Sequence, residues 1–171
     1  MIAEPRGTIT WSIYAPATEV AGLSFADSYA TLDAWAVRAL RALGVPAEHR
    51  PLNDIATPRG KLAGSAQARR RNVVLHHTAL AYDMEPGLVR RLLRIGLPRV
   101  SRRGLRSAEK EVSPLRWFVE LEQPQVVARL AEAFAAERGA VAGALGKPEL
   151  KEAARLAAAK YDLTEWTERL P

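Results

Sequence analysis

The chain has 171 residues, 48% hydrophobic and 26% charged, with a net charge of +6 and a pI near 10.1. That is enough for one domain over residues 1–171 with a real core, and no apolar run approaches the roughly 18–20 residues that span a membrane. There is no cysteine, which excludes disulfides, thiolate metal sites and a cysteine nucleophile. With no secretory signal at Met1, a cytoplasmic protein is expected.

Residues 8–14 alternate, with Ile9, Trp11 and Ile13 on one face, and read as a strand that Pro16 ends. Residues 24–43 read as a long helix. Ser24 and Asp27 form its start signal, Phe25, Tyr29, Leu32, Ala36, Ala39 and Leu43 its apolar stripe, and Gly44 its stop. Residues 47–50 and 52–57 are short candidate strands, followed by a turn at Pro58-Arg59-Gly60. Residues 61–69 and 73–81 form a hairpin across Arg70-Arg71-Asn72. Pro86 opens a short helix ending at Gly96, and residues 97–110 are basic and irregular. Residues 124–138 form an amphipathic helix with Val127, Leu130 and Phe134 inward. A small-residue linker, a helix over 148–160 and a final turn over 164–170 complete the chain. The fold class is α+β: helices packed on a mainly antiparallel sheet.

The positive charge gathers at Arg69-Arg70-Arg71, at Arg90, Arg91 and Arg94, and between Arg99 and Arg106. Such clusters suit phosphate-bearing ligands, an acidic protein partner or plain solvation. No nucleic-acid-binding motif accompanies them, so a nucleic-acid partner is not expected.

The chemistry concentrates in Asn53-Asp54-Ile55, Gly60-Lys61-Leu62-Ala63-Gly64-Ser65-Ala66-Gln67 and Leu75-His76-His77-Thr78-Ala79-Leu80. Gly64, Ser65 and Ala66 carry almost no bulk, so a ligand can approach the main chain. Lys61 beside them can pair with a phosphate or acyl-phosphate oxygen. His76 and His77 are adjacent in a strand and point to opposite faces, which argues against a shared metal.

These runs, in this order and without gaps, resemble the central signature of the lipoate–protein ligase and octanoyltransferase family, whose catalytic fold is shared with biotin protein ligases. Gly7-Thr8-Ile9-Thr10-Trp11-Ser12 is similar to an earlier strand of that family. Gly104-Leu105-Arg106-Ser107 with Val112-Ser113-Pro114-Leu115, and Tyr161 with Glu165-Trp166, are similar to later segments.

The resemblance implies activation of lipoic or octanoic acid with ATP and Mg²⁺ to an acyl-adenylate. The acyl group then passes to a lysine of a lipoyl domain, as found in 2-oxoacid dehydrogenase or glycine-cleavage proteins. It implies Lys61 as the catalytic lysine and Asn53, Asp54, Gly64, Ser65, Ala66 and His77 as residues bordering the ligand. Asp54 would stand near the nucleotide's magnesium. Thr78 and Ala79 replace a glycine and a threonine of the family pattern, and a Cβ at Thr78 is expected to narrow the ligand's approach.

The family's glycine-rich motif, Arg-Arg-x-Ser/Thr-Gly-Gly-Gly-x-Val, has no counterpart, since the resemblance begins directly after it. Three readings stay open: a truncated or misassigned start, an N-terminal half on a separate chain, or a reduced, inactive homologue. A domain without those strands exposes a sheet edge, so association with itself or with a partner chain is expected. The other functional readings are octanoyl transfer, which uses a cysteine this chain lacks, and a non-catalytic acyl-adenylate-binding or accessory subunit.

Overall fold

The computed structural model describes residues 6–87 and 111–168. The continuation of the helix expected from Pro86, the basic stretch 97–110 with Gly104-Leu105-Arg106-Ser107, and the arginine clusters after residue 89 lie outside the described residues. The chain divides into two compact units, Met1–Gly139 and Ala140–Pro171.

The first unit is built on a five-stranded antiparallel sheet. Its strands are β1 (Thr8–Pro16), β2 (Glu48–Arg50), β3 (Asp54–Thr57), β4 (Gly60–Arg70) and β5 (Val73–Ala81), in the order β1-β5-β4-β3-β2. The hairpin β4–β5 turns on Arg71 and Asn72, with Arg71 in the left-handed region at φ 56°.

Helix α1 (Phe25–Ala42) starts where Ser24 Oγ accepts the Asp27 N–H at 3.1 Å, a side chain satisfying one of the helix's unpaired donors. Gly44, at φ 85°, follows its end, where a side chain would be strained. The buried face is broader than the predicted stripe, because Trp35, Val37 and Leu40 join Tyr29, Leu32, Ala36 and Ala39. Phe25 is not part of it. At the first helical position it stays 63% exposed, and its ring carries the Arg69 guanidinium at 4.7 Å.

Helix α2 (Gln123–Arg138) lies against α1, and both contribute to one core. Its inward residues are Val126 and Leu130, with Phe134 partly buried. Val127, predicted inward, is 46% exposed. The spacing of four that aligns 126, 130 and 134 leaves residue 127 about 100° around the helix. Arg38 of α1 clasps Glu137 of α2 with two hydrogen bonds, of 3.0 and 2.7 Å.

The core packs Leu40, Val45, Ile55, Leu62, Leu80 and Leu115 between sheet and helices, each at most 1% exposed. A side chain of this size contributes about 1.5–3 kcal/mol when fully buried. Trp35 packs edge-on against both Trp11 and Phe134. The indole N–H groups of Trp11 and Trp35 are buried and meet no acceptor among the described residues, which costs about 1–3 kcal/mol each.

In the second unit, α3 (Lys147–Leu156) continues through a π-helical turn (Ala157–Tyr161), and α4 is the short helix Thr164–Thr167. Tyr161 and Trp166 meet edge to face at 5.2 Å, with Lys160 Nζ 4.2 Å from the Trp166 ring centre. Among the described residues no helix is long and apolar enough to cross a membrane.

Candidate functional site

Strand pairing sorts the signature residues onto two faces. Asp54 faces Gly64, Gly64 faces Ala79, Ala66 faces His77 and His77 faces Ser12. Partners opposite one another in a ladder project to the same side. The sheet side away from the core therefore has a floor of Gly64, Ala66 and Ala79, bordered by His77 and Ser12. A register shift between Ile55 and Ala56 sets Ala56 opposite Lys61 and brings Lys61 onto the same side as Gly64.

Lys61 lies along that floor. Its Nζ is 2.7 Å from Asp54 Oδ1, with the carboxylate almost wholly buried and the lysine side chain 34% exposed. A Cβ added to Gly64 would stand 2.6 Å from Lys61 Nζ and 2.8 Å from Cε, so the absence of a side chain at 64 makes the lysine's path. A cleft of about 310 Å³ opens here, lined by Arg50, Arg59, Lys61, Asp54 and Glu111 among others. Three cations and two carboxylates line it, a small excess of positive charge that suits an anionic ligand.

The lysine's main chain is clamped by a segment some fifty residues later in sequence. Lys61 N–H donates to the Glu111 carbonyl and Ser113 N–H donates to the Lys61 carbonyl, both at 2.8 Å. Thr57 and Ser113 hydroxyls meet at 2.9 Å beneath them. Gly60, at φ 141°, permits the approach, since a Cβ there would lie 2.5 Å from the Glu111 oxygen.

Ser65 and Thr78 belong to the other face. Ser65 Oγ donates to Asp33 at 2.8 Å, Thr78 Oγ1 donates to Asp33 at 3.3 Å, and His76 Nε2 lies 2.7 Å from Asp33 Oδ1. All four side chains are buried. This fixes where two of the signature side chains point. The Ser65 side chain points away from Gly64 and Ala66, and the Cβ of Thr78 points toward α1 instead of narrowing a ligand's approach. Alternation along a strand is the reason in both cases. Asn53 donates from its amide to the Ser65 carbonyl at 2.5 Å and so ties the start of β3 to β4. His77 stays on the open side, its Nδ1 2.8 Å from Ser12 Oγ.

Sequence reasoning missed Ser12, Asp33, Arg50, Arg59 and Glu111. A cross-strand register would have found Ser12, whereas Asp33 and Glu111 meet the signature only through tertiary packing.

Among the described residues no group of three or more His, Asp or Glu is placed to hold a metal ion. A magnesium ion brought by a nucleotide asks for less: one or two carboxylates, with phosphate oxygens and waters completing its shell. Asp54 and Glu111 on the same cleft fit that smaller demand.

Residues 4–135 match the lipoyl protein ligase A/B catalytic domain. The chain belongs to this family. It is 32% identical to the octanoyltransferase LipM of Kyrpidia tusciae, over 85% of this chain and 62% of that protein. A bi-partite lipoate protein ligase from Thermoplasma acidophilum, described with its E2 lipoyl domain, superposes with a TM-score of 0.75 at 22% identity, over 94% of this chain and 63% of that one. A lipoate-protein ligase A bound with ATP gives a TM-score of 0.72 at 20% identity, over 94% of this chain and 64% of that one. These likenesses establish the fold, an antiparallel sheet with packed helices of the lipoate-ligase type. The chain spans less than two thirds of the length of each of these proteins.

Proposed function

We propose that this chain carries the lysine-bearing part of a lipoate–protein ligase. The reaction activates lipoic or octanoic acid with ATP and passes the acyl group to a lysine of a lipoyl domain. The observation that carries this reading is Lys61 laid across Gly64, on an open small-residue floor beside an arginine-lined cleft.

In this reading Lys61 Nζ offsets charge on the acyl-adenylate phosphate and orients the acyl carbonyl for attack. Arg50 and Arg59 draw the phosphates to the cleft, and Asp54 with Glu111 would hold a Mg²⁺ brought by the nucleotide. Gly64, Ala66 and Ala79 let the ligand lie on the strand backbone, and His77 with Ser12 borders it. The protein supplies position and charge, and ATP supplies the leaving group. The lack of cysteine favours the ligase over octanoyl transfer through an acyl-enzyme.

The test is to incubate the chain with ATP, Mg²⁺, lipoic acid and an apo lipoyl domain, and to weigh the lipoyl domain by mass spectrometry. A lipoyl mass increment that disappears with Lys61→Ala is expected. No increment from the chain alone, and none when the N-terminal half of a relative is added, would overturn the reading.

A further inference from the structure

Two arginines line the cleft beside Lys61, and their side chains are held differently. Arg50 is engaged by Glu48, which takes its Nε and a terminal nitrogen, each at 2.7 Å. The Arg59 guanidinium has no carboxylate partner among the described residues. It lies over the face of Trp117, 4.2 Å from the ring centre, with the Phe118 ring centre at 5.9 Å. Trp117 ends a 3-10 turn (Leu115–Trp117) that is anchored by the buried Leu115 and by the Arg116 N–H, which donates to the Tyr82 carbonyl at 2.9 Å. Arg59 sits in the exposed turn between β3 and β4. One hydroxyl ties the two segments together: Thr57 Oγ1 accepts the Arg59 N–H at 3.1 Å and meets Ser113 Oγ at 2.9 Å. Trp117 is itself 43% exposed, so its indole is a surface platform and not a core side chain.

We propose that Trp117 is a positioning residue for anion binding in this cleft, holding the Arg59 guanidinium at its mouth for the phosphates of a nucleotide. The role rests on the cleft taking those phosphates, as proposed above. An arginine in an exposed turn has many rotamers to lose when it meets a ligand. Stacking on an anchored indole restricts the stem beforehand, so less freedom is lost on binding. The stack uses only the flat face of the guanidinium. Its N–H donors lie in the plane and stay open to phosphate oxygens. A carboxylate partner would occupy those donors and offset the charge, which is the condition of Arg50 beside Glu48. An aromatic partner fixes the group and leaves its charge intact.

Calorimetric titration of the chain with ATP and Mg²⁺ tests this without any acyl transfer. Arg59→Ala is expected to raise the Kd at least about tenfold, through loss of a charge-assisted contact. Trp117→Ala is expected to raise it about two- to fivefold, and Trp117→Phe, which keeps an aromatic face, to recover most of that loss. Trp117→Ala added to Arg59→Ala is expected to cost nothing more, because the indole acts through the arginine. Both positions are exposed, so thermal unfolding is expected to show an intact fold. An equal loss from Trp117→Ala with and without Arg59, or no loss at all, overturns the proposal. So does a parent chain that does not bind ATP. ATP binding with this coupling but no lipoyl increment supports the role of Trp117 and defeats the ligase reading instead.

Discussion

Lys61 and Gly64 share one volume: the lysine's Nζ stands 2.6 Å from where a Cβ at residue 64 would be. The atoms that would be displaced are the far end of a flexible side chain, so a substitution at 64 moves the lysine against its ion pair with Asp54 and spares the sheet. Gly64→Ala is expected to lower acyl transfer by about 10²-fold, the scale seen when a positioned electrostatic group is lost. Unfolding free energy is expected to change by less than about 1 kcal/mol. Full activity in a folded Gly64→Ala would disprove the lysine's path as the functional one.

Gly60 predicts the opposite pattern. Its φ of 141° and the Glu111 oxygen at 2.5 Å from an added Cβ are backbone constraints, which do not yield cheaply. Gly60→Ala is expected to cost about 1–3 kcal/mol in urea unfolding and to loosen the clamp on Lys61. An unaltered denaturation midpoint would mean that the Glu111–Ser113 segment is not held as described.

Asp33 accepts from Ser65 and Thr78 and sits 2.7 Å from His76 with no solvent access. Asp33→Ala strands buried polar groups that each cost about 1–3 kcal/mol unsatisfied. A total loss above about 3 kcal/mol is expected by chemical denaturation, and a loss under about 1 kcal/mol would contradict the network.

The Arg38–Glu137 pair joins α1 to α2 in solvent. The hydrogen bond from Arg38 holds the Glu137 carboxyl below its ordinary value of 4.5. A carboxyl depressed on folding stabilises above its unfolded pKa, and the contribution fades as pH falls through the folded one. With side chains 59% and 32% exposed, it is worth only about 0.2–1 kcal/mol. Glu137→Gln is expected to lower stability by that much at pH 7 and by progressively less as the pH falls through the lowered pKa of the folded carboxyl. A gap that widens on acidification would reverse the assigned sign.

Much of this was legible in the chain itself. Alternation at Ile9, Trp11 and Ile13, the cap at Ser24, the stop at Gly44 and the hairpin into Val73 are local signals, each written within a few residues. The family signature around Lys61 is likewise a run of neighbours. Period two says that Gly64, Ser65 and Ala66 alternate, but small residues carry too little hydrophobic contrast to say which side is covered. Packing of α1 decided it: Asp33 draws Ser65, His76 and Thr78 under the helix and leaves Gly64, Ala66, His77 and Ala79 on the open side. The bulge that turns Lys61 toward Gly64, and the Glu111–Ser113 clamp on its backbone, depend on partners distant in sequence. Local propensity cannot encode such contacts, because they form only when separate elements close on one core.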